Sequence, residues 1–356
     1  MGGQERVALD LAVGQRAAGC GVVALSLAPP PDGPLAAEFA AAGIPIATVP
    51  KRAGFDSWLI LRLARAFRRA HATIVHTHNP QPLIYGALAA QLARARIVHT
   101  KHGANPDTSR RLKLRRLAAR LVHAYVAVSP TTATVAWQNR EVDDKKLSVI
   151  PNGIDLSRFH RDLRERQVVR RELGIPPRAW VFGTVGRLDP EKDQALLVRA
   201  VEPLLGENAR LVVVGDGEEA QRLRDLCFRL PQGRHVHWLG VRSDVPRLLS
   251  ALDVFVLSSR TEGLPLVIPE AMAASLPVVS TSVGGIPGVI EDGVTGFLVP
   301  PGNEQALRLR LAELAKDRAL AEDCGRKGRQ VALERYSRER MVRDYMELYR
   351  RVLGLS

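Results

Sequence analysis

The sequence predicts an α/β protein made of two doubly wound domains, each with a parallel sheet. In the second half of the chain, short Val- and Leu-rich runs alternate with helix-length stretches, as β–α–β crossovers require. Several of these runs lack polar alternation, which is typical of strands buried on both faces. The length of 356 residues, at roughly 150 residues a domain, indicates two domains.

The second half of the chain contains six strand-like runs. They are Trp180–Val185, Leu211–Val214, Val236–Leu239, Val254–Leu257, Val278–Ser280 and Phe297–Val299. Helices are predicted between them, over stretches such as Glu191–Leu205 and Glu218–Leu230. Gly or Ser follows most of the runs, at the strand ends where parallel sheets bind their ligands.

The first half repeats this scheme less regularly. Its strand-like runs are Val22–Leu27, Thr73–Thr77, Ile97–Thr100 and Tyr125–Val128. Its helical stretches are Ser57–Arg69 and Pro82–Arg94. A polar, Arg-rich stretch marks the joint, so we place the domains at residues 1–160 and 161–335. The amphipathic tail, residues 336–356, predicts a helix that packs back on the first domain.

Composition and charge narrow the class of protein. Hydrophobic residues make up 46% and charged residues 25%, as in soluble globular proteins. The three cysteines lie far apart, which favours a reducing compartment and excludes a zinc site of the usual cysteine spacing. No apolar run approaches the ~20 residues of a membrane span. The net charge is +14, and residues 1–160 carry 21 basic and 10 acidic residues, which favours a partner with phosphate groups.

The strongest motif places two carboxylates, Glu262 and Glu270, eight positions apart. We expect a helix to open at Gly263 and Leu264, whose backbone N–H groups would then favour an anion. A carboxylate at Glu270, just inside that helix, can accept hydrogen bonds from two adjacent hydroxyls, such as those of a ribose. Taken alone, the pair is explained at least as well by a capping acid and a solvated helix residue.

A second motif, Gly186-Arg187-Leu188-Asp189-Pro190-Glu191-Lys192, follows a predicted strand. Arg187 supplies a planar donor fork and Lys192 a point charge, a suitable pair for a diphosphate. Alone, this segment could also be a surface turn held by ion pairs. The glycine turn at Gly215 follows the next strand, and such turns are common in α/β proteins.

In this order, the segments resemble the retaining glycosyltransferases of family 4, which have the GT-B architecture of two Rossmann-like domains facing across a cleft. Glu262 and Glu270 match the family's E-x7-E motif, and residues 186–192 match its G-R-L-x-x-x-K loop. Residues 151–155 match its P-N-G-I-D turn, and residues 2–5 its G-G-x-E opening.

The resemblance implies roles for individual residues. Arg187 and Lys192 would hold the diphosphate of a nucleotide sugar, and Glu262 would contact the sugar. His102 matches a family histidine near the transferred sugar, and these four residues are the implied catalytic group. The implied donor-binding residues are Gly3, His78, Gly186, Arg187, Lys192, Gly215, Glu262, Gly263, Leu264 and Glu270.

The resemblance also implies the reaction. The enzyme would be a hexosyltransferase that moves a sugar from a UDP- or GDP-sugar to a glycan or lipid-linked acceptor. It would retain the anomeric configuration and serve cell-envelope or exopolysaccharide synthesis in the cytoplasm. The chain holds no D-x-D triplet, so we expect no metal cofactor.

Residues 107–123 suggest a membrane partner. They hold six basic side chains against one acid, Asp107, and Leu114, Leu117 and Leu121 form one helical stripe. The stripe could pack on the sheet of an ordinary surface helix. Alternatively, the helix could lie on anionic lipid at the inner face of the membrane, since such basic amphipathic helices lie in the interfacial plane.

Two other functions remain open at this point. A nucleotide-sugar epimerase would share the architecture without needing both motifs. A nucleic-acid-binding protein would explain the charge, but aromatic residues make up only 5% and do not interleave with basic ones.

Family members usually begin with a strand before the G-G-x-E loop, whereas Met1 directly precedes Gly2. We therefore expect a first strand to be missing from the chain as written.

Overall fold

The computed structural model describes residues 3–29, 34–103 and 108–355, so Met1, Gly2 and Asp107 lie outside the described residues. The chain divides into unit 1, residues 1–153 and 338–356, and unit 2, residues 154–337. The boundaries predicted from the sequence lie at 160/161 and 335/336. The first boundary lies earlier in the chain than predicted. The backbone N–H of Ile154 donates to Tyr336 O at 2.9 Å, and this hydrogen bond joins residue 154 to the end of unit 2.

Unit 1 alternates helices and strands along most of its length. Its elements are α1 (Gly3–Ala17), β1 (Ala24–Ser26), α2 (Pro34–Ala41), β2 (Ile46–Thr48), α3 (Ser57–Arg69), β3 (Ile74–His78), α4 (Pro80–Ala93), β4 (Arg96–Lys101), α5 (Ser109–Arg120), β5 (Ala124–Ala127), α6 (Pro130–Gln138) and β6 (Leu147–Val149). Strands β3 to β6 form a parallel sheet in that order, and β1 pairs with β2 in a separate parallel sheet. Helix α4 packs against β3 and β4, where Leu83 and Ile97 are fully buried.

Unit 2 is built on one six-stranded parallel sheet. Its elements are α7 (Leu163–Glu172), β7 (Trp180–Val185), α8 (Gln194–Val201), β8 (Ala209–Val214), α9 (Ala220–Arg229), β9 (Val236–Trp238), α10 (Val245–Ala251), β10 (Val254–Leu257), α11 (Val267–Ala273), β11 (Val278–Thr281), β12 (Gly296–Val299), α12 (Glu304–Lys316) and α13 (Arg318–Arg335). The strand order is β12-β11-β10-β7-β8-β9. The six runs predicted from the sequence are therefore confirmed as strands.

The last helix, α14 (Arg338–Leu353), belongs to unit 1 and packs against α1. Its buried face contains Met341, Tyr345 and Leu348, three residues of the amphipathic pattern seen in the sequence. Because this face is covered by the rest of unit 1, the tail completes that unit although it follows unit 2 in the chain.

Candidate active site

The loops after β7 and β8 lie in close contact at the carboxyl edge of the unit 2 sheet. The backbone N–H of Gly186 donates to Val214 O at 3.0 Å, and that of Leu188 donates to Asp216 O at 3.0 Å. Gly215 has φ +133°, and a Cβ at this position would lie 1.8 Å from Gly186 O. Only glycine fits here, so the glycine turn positions the Gly186–Lys192 loop.

The two sequence motifs meet in an ion pair. Lys192 Nζ lies 2.5 Å from Glu262 Oε1, and the side chains are only 19% and 9% exposed. The hydroxyl of Ser259 donates to the same carboxylate oxygen at 2.7 Å. Lys192 therefore sits at the end of β10 with its charge fixed against a shielded carboxylate.

Two guanidinium groups lie at the same edge and are largely open to solvent. Arg187 is 63% exposed and its Nη2 lies 3.0 Å from Asp189 Oδ2. Arg260 is 65% exposed and its Nε donates to Asp193 Oδ2 at 2.8 Å. Asp193 adopts φ +45° at the start of α8, and this bend turns the loop back toward β10. Surface ion pairs of this kind are weak, so an incoming anion can recruit Arg187.

The loop after β11 contacts the backbone of the segment that carries Glu262. The backbone N–H of Gly285 donates to Gly263 O at 2.7 Å. Gly284 has φ +56°, and a Cβ there would lie 1.9 Å from Glu262 O. The diglycine after β11 therefore fixes the backbone that carries Glu262.

The predicted helix start at Gly263 is wrong, because α11 begins at Val267. Leu264 precedes Pro265, and the residue before a proline is disfavoured in the helical region. Gly263 and Leu264 therefore lie in a turn before the helix, and we do not assign a helix-dipole effect to them. Glu270 is the fourth residue of α11 and is partly buried.

Unit 1 places two of the predicted histidines in contact at the carboxyl ends of β3 and β4. His78 Nδ1 lies 2.9 Å from His102 Nε2. Burial lowers the pKa of His78 to about 4, and burial followed by repulsion from His78 and His99 lowers the pKa of His102 well below its usual range. Both rings are therefore neutral at pH 7, and one ring donates its N–H to the other.

The beginning of α1 lies beside this pair. The side-chain amide of Asn79, the residue after His78, donates to Gln4 Oε1. Gly3 is the first residue of α1 and is exposed. The structure thus brings Gly3, His78 and His102 to one edge of unit 1.

His76, two residues before His78, has different hydrogen-bond partners. Its Nδ1 lies 2.7 Å from Tyr349 Oη, and its Nε2 lies 2.7 Å from Thr100 Oγ1. Burial and then repulsion from His78 lower its pKa well below the usual range. His76 therefore ties β3 to α14. The tyrosine is 273 positions away, and no local sequence signal indicates the contact.

A buried charge cluster in unit 1 was missed by the sequence analysis. Glu141 Oε1 pairs with Lys101 Nζ at 3.1 Å and with Arg115 Nη2 at 2.9 Å. The hydroxyl of Tyr125 donates to Glu141 Oε2 at 2.7 Å. Arg115 is therefore a structural residue of the interior, and its inclusion among the solvated or lipid-facing arginines of residues 107–123 is wrong.

The leucine stripe of α5 packs inward only in part, at Leu121, which contacts the core of unit 1. The face that packs inward contains Arg115, Ala118 and Ala119, one position along from the stripe. Leu117 is 61% exposed, and Leu114 is only partly buried. The exposed surface of α5 thus combines leucine with basic side chains.

Helices α3, α4 and α5 extend this surface into a larger region, the basic face. Helix α4 packs against both α3 and α5, and none of the three contains an acidic residue. Phe55 and Trp58, at the start of α3, are 62% and 65% exposed. Apart from the buried Arg115, the basic side chains of α3 and α5 are Arg62, Arg65, Arg68, Arg69, Arg110, Arg111, Lys113, Arg116 and Arg120.

Two family descriptions match the chain. Residues 1–158 match Glycosyltransferase Family 4, and residues 165–331 match Glycosyl transferases group 1.

Within the described residues, no helix is both long and apolar enough to cross a membrane.

Known proteins resemble the chain over most of its length. It is 30% identical, over 74% of this chain and 72% of the relative, to the UDP-Gal:alpha-D-GlcNAc-diphosphoundecaprenol alpha-1,3-galactosyltransferase of Escherichia coli. It is 29% identical, over 84% of this chain and 80% of the relative, to the N-acetyl-alpha-D-glucosaminyl L-malate synthase of Bacillus anthracis. The crystal structure of Anabaena HepE in complex with UDP-glucose matches with a TM-score of 0.87 and 25% identity, covering 98% of this chain and 96% of that one.

Proposed function

Because this chain belongs to glycosyltransferase family 4, a family of GT-B enzymes, we propose that it transfers a hexose from a UDP- or GDP-sugar to a glycan or lipid-linked acceptor. We further propose that transfer retains the anomeric configuration and serves the synthesis of cell-envelope or extracellular polysaccharide. One observation carries this proposal: the Lys192–Glu262 ion pair joins the two sequence motifs at the carboxyl edge of the unit 2 sheet. The names of the relatives support a nucleotide-sugar donor and a lipid-linked acceptor.

Lys192 and Arg187 would bind the donor diphosphate. The Arg187 guanidinium is exposed and paired with the carboxylate of Asp189, so it can turn to a bidentate contact with phosphate. Lys192 is less exposed and is oriented by Glu262, which makes it a preorganised positive charge. Charge that develops on the leaving diphosphate would be stabilised most by such fixed groups.

The two carboxylates would hold the donor's sugars. Glu262 accepts hydrogen bonds at Oε1 from Ser259 and Lys192, which leaves Oε2 to accept a hydroxyl of the transferred sugar. Glu270, on α11, would accept the ribose hydroxyls. Gly186 and Gly215 let the backbone approach the nucleotide closely, and Gly263 and Leu264 would contact the sugar through the turn before α11.

In unit 1, His102 would contact the transferred sugar and Gly3 would approach the phosphate. His78 hydrogen-bonds to His102 Nε2, so it fixes the orientation of the His102 ring. In the proposed reaction, an acceptor hydroxyl attacks the anomeric carbon, the bond to the β-phosphate oxygen breaks, and the acceptor proton passes to the leaving diphosphate.

Product stereochemistry tests the retention of configuration. The enzyme is incubated with an α-linked nucleotide sugar and an acceptor, and the one-bond coupling between C1 and H1 of the transferred sugar in the glycoside product is measured by NMR. An α-linked product is expected. A β-linked product would contradict retention and leave sugar transfer itself intact.

We expect transfer to persist in excess EDTA. The cations that we assign to the diphosphate are protein side chains, Arg187 and Lys192, and among the described residues no group of three His, Cys, Asp or Glu side chains could hold a metal ion. Initial rates are compared with and without EDTA, and with added Mg²⁺ as the control. A rate that falls to background in EDTA and returns with Mg²⁺ would refute a metal-independent mechanism.

We also propose that the basic face binds anionic lipid, where a lipid-linked acceptor would be presented. Arg110, Arg111 and Lys113 are exposed, and basic side chains near an anionic surface contribute about 1 kcal/mol each. Leu117 is exposed on the same helix and Trp58 is exposed on α3, and apolar and aromatic side chains of this kind enter the interfacial layer. This surface fits an anionic bilayer because the three helices contain no acidic residue, and Asp56, the N-cap of α3, is buried and paired with Arg62.

Charge reversal on α5 tests the membrane contact. The variant with Arg110→Glu, Arg111→Glu and Lys113→Glu should bind vesicles of anionic lipid about 100-fold more weakly, since three such contacts are lost. It leaves the buried Arg115 intact. Reversal of three exposed arginines on α9, Arg222, Arg224 and Arg229, is the matched control and should bind normally. Equal losses in both variants would show that net charge alone, and no particular face, governs the attraction.

A further inference from the structure

A small recess, the Trp180 recess, lies at the amino edge of the unit 2 sheet. It is lined by Trp180, the first residue of β7, by Asp253 and Pro277, which precede β10 and β11, and by Arg161 and Arg318. The candidate active site follows the other end of β7. Because β7 has six residues, roughly 20 Å of strand separates the two places.

Two of the residues that line this recess each hold a buried N–H donor without an acceptor. Among the described residues, neither the indole Nε1 of Trp180 nor the Nε of Arg161 has a hydrogen-bond partner. Trp180 is only 7% exposed, and unsatisfied buried N–H groups are rare in native proteins. Both groups are donors with no lone pair, so the ligand that satisfies them must be a hydrogen-bond acceptor.

The charges around the recess favour an anion over a neutral acceptor. Arg166 and Arg170 pair with the two oxygens of Asp253 at 2.6 and 2.7 Å, and Val181 N–H also donates to this carboxylate at 2.8 Å. Asp253 is therefore already neutralised. The full set comprises four guanidinium groups and two carboxylates, Arg161, Arg166, Arg170 and Arg318 against Asp253 and Glu322.

The size of the recess limits what can enter. Its volume is about 20 Å³, enough for one group the size of a water molecule. The Arg318 guanidinium lies 5.4 Å from the centroid of the Trp180 ring and is exposed. A ligand can thus place one atom in the recess while its remainder faces a solvent-exposed cation.

We propose that the Trp180 recess binds a small free oxyanion of the phosphate class. One oxygen accepts the N–H of Trp180 and the Nε–H of Arg161, and Arg318 neutralises the remaining charge. This site is separate from the one proposed for the nucleotide sugar, and its occupancy does not depend on glycosyl transfer.

The indole N–H signal of Trp180 reports on this binding directly. The chain has four tryptophans, so the ¹⁵N-labelled full chain gives four indole signals, and Trp180→Phe identifies one of them. If that variant does not fold, the signal is identified by replacing Trp58, Trp137 and Trp238 instead. Titration with inorganic phosphate at constant ionic strength should move the Trp180 signal along a saturating curve, while the other three stay in place.

Two variants separate the recess from the candidate active site. Arg161→Lys keeps the charge and removes the Nε–H, so the phosphate dissociation constant at Trp180 should rise about tenfold. Lys192→Ala should leave this constant unchanged. A Trp180 signal that stays in place, or moves linearly with any salt, would show that the recess holds water only. A shift that Lys192→Ala abolishes would also overturn the proposal.

Discussion

Replacing Lys192 with alanine should lower the rate of sugar transfer by about two orders of magnitude, the usual cost of losing one preorganised group that stabilises charge in a transition state. The loss should fall mainly on kcat, because the leaving diphosphate gains charge as the glycosidic bond breaks. Arg187→Ala should have a comparable effect, with a larger share in KM because this side chain is exposed and recruited by the donor. Initial rates over a range of donor concentrations measure both constants.

The structure supplies two controls for this result. Lys192→Met keeps the apolar stem of the side chain and should be as impaired as the alanine variant. Arg222→Ala removes a cation that is 76% exposed on α9 and should transfer at the normal rate. Near-normal turnover in Lys192→Met would exclude Lys192 as a group that stabilises the leaving diphosphate.

Gly284→Ala should lower kcat/KM by about 100-fold or more. The added Cβ would lie 1.9 Å from Glu262 O, so the backbone that carries Glu262 must shift. A displacement of about 1 Å at a reacting group can cost that much. Initial-rate kinetics and thermal unfolding of the same sample measure the effect on activity and on stability.

Gly174→Ala is the matched control for backbone strain. Gly174 has φ +63°, close to the +56° of Gly284, but its Cβ would meet no atom within 4 Å. Both variants carry the left-handed penalty of about 1–2 kcal/mol, whereas only Gly284→Ala should lose activity. Equal activities in the two variants would show that the diglycine loop does not position Glu262.

The strands of unit 2 and the loops that carry its candidate site could be predicted because their signals are local. A buried parallel strand is a short apolar run, and the loop after it carries the chemistry. Gly186, Lys192 and Glu262 all lie in such loops. The contact between Lys192 and Glu262 spans 70 positions and was not predicted, since neither loop indicates it alone; the resemblance implied only that both residues serve the same donor.

Features that depend on distant partners were predicted poorly. The stripe of α5 was placed one position away from the buried face, because Arg115 is drawn inward by Glu141, 26 positions later. The contact of His76 with Tyr349 of α14 was not predicted, because the two residues lie 273 positions apart. The helix start at Gly263 is a different kind of error, because Pro265 was a local signal against it.

The most direct measurement of the central claim is the release of nucleoside diphosphate from a panel of UDP- and GDP-sugars. The full chain and Lys192→Met are assayed in parallel, with and without candidate acceptors, and their folding is checked by thermal unfolding. We predict that the full chain releases UDP or GDP from at least one donor, and that Lys192→Met releases about 100-fold less. No release above the blank from any donor, by a folded protein that also fails to bind UDP and GDP, would contradict the claim that this edge of unit 2 is a nucleotide-sugar site.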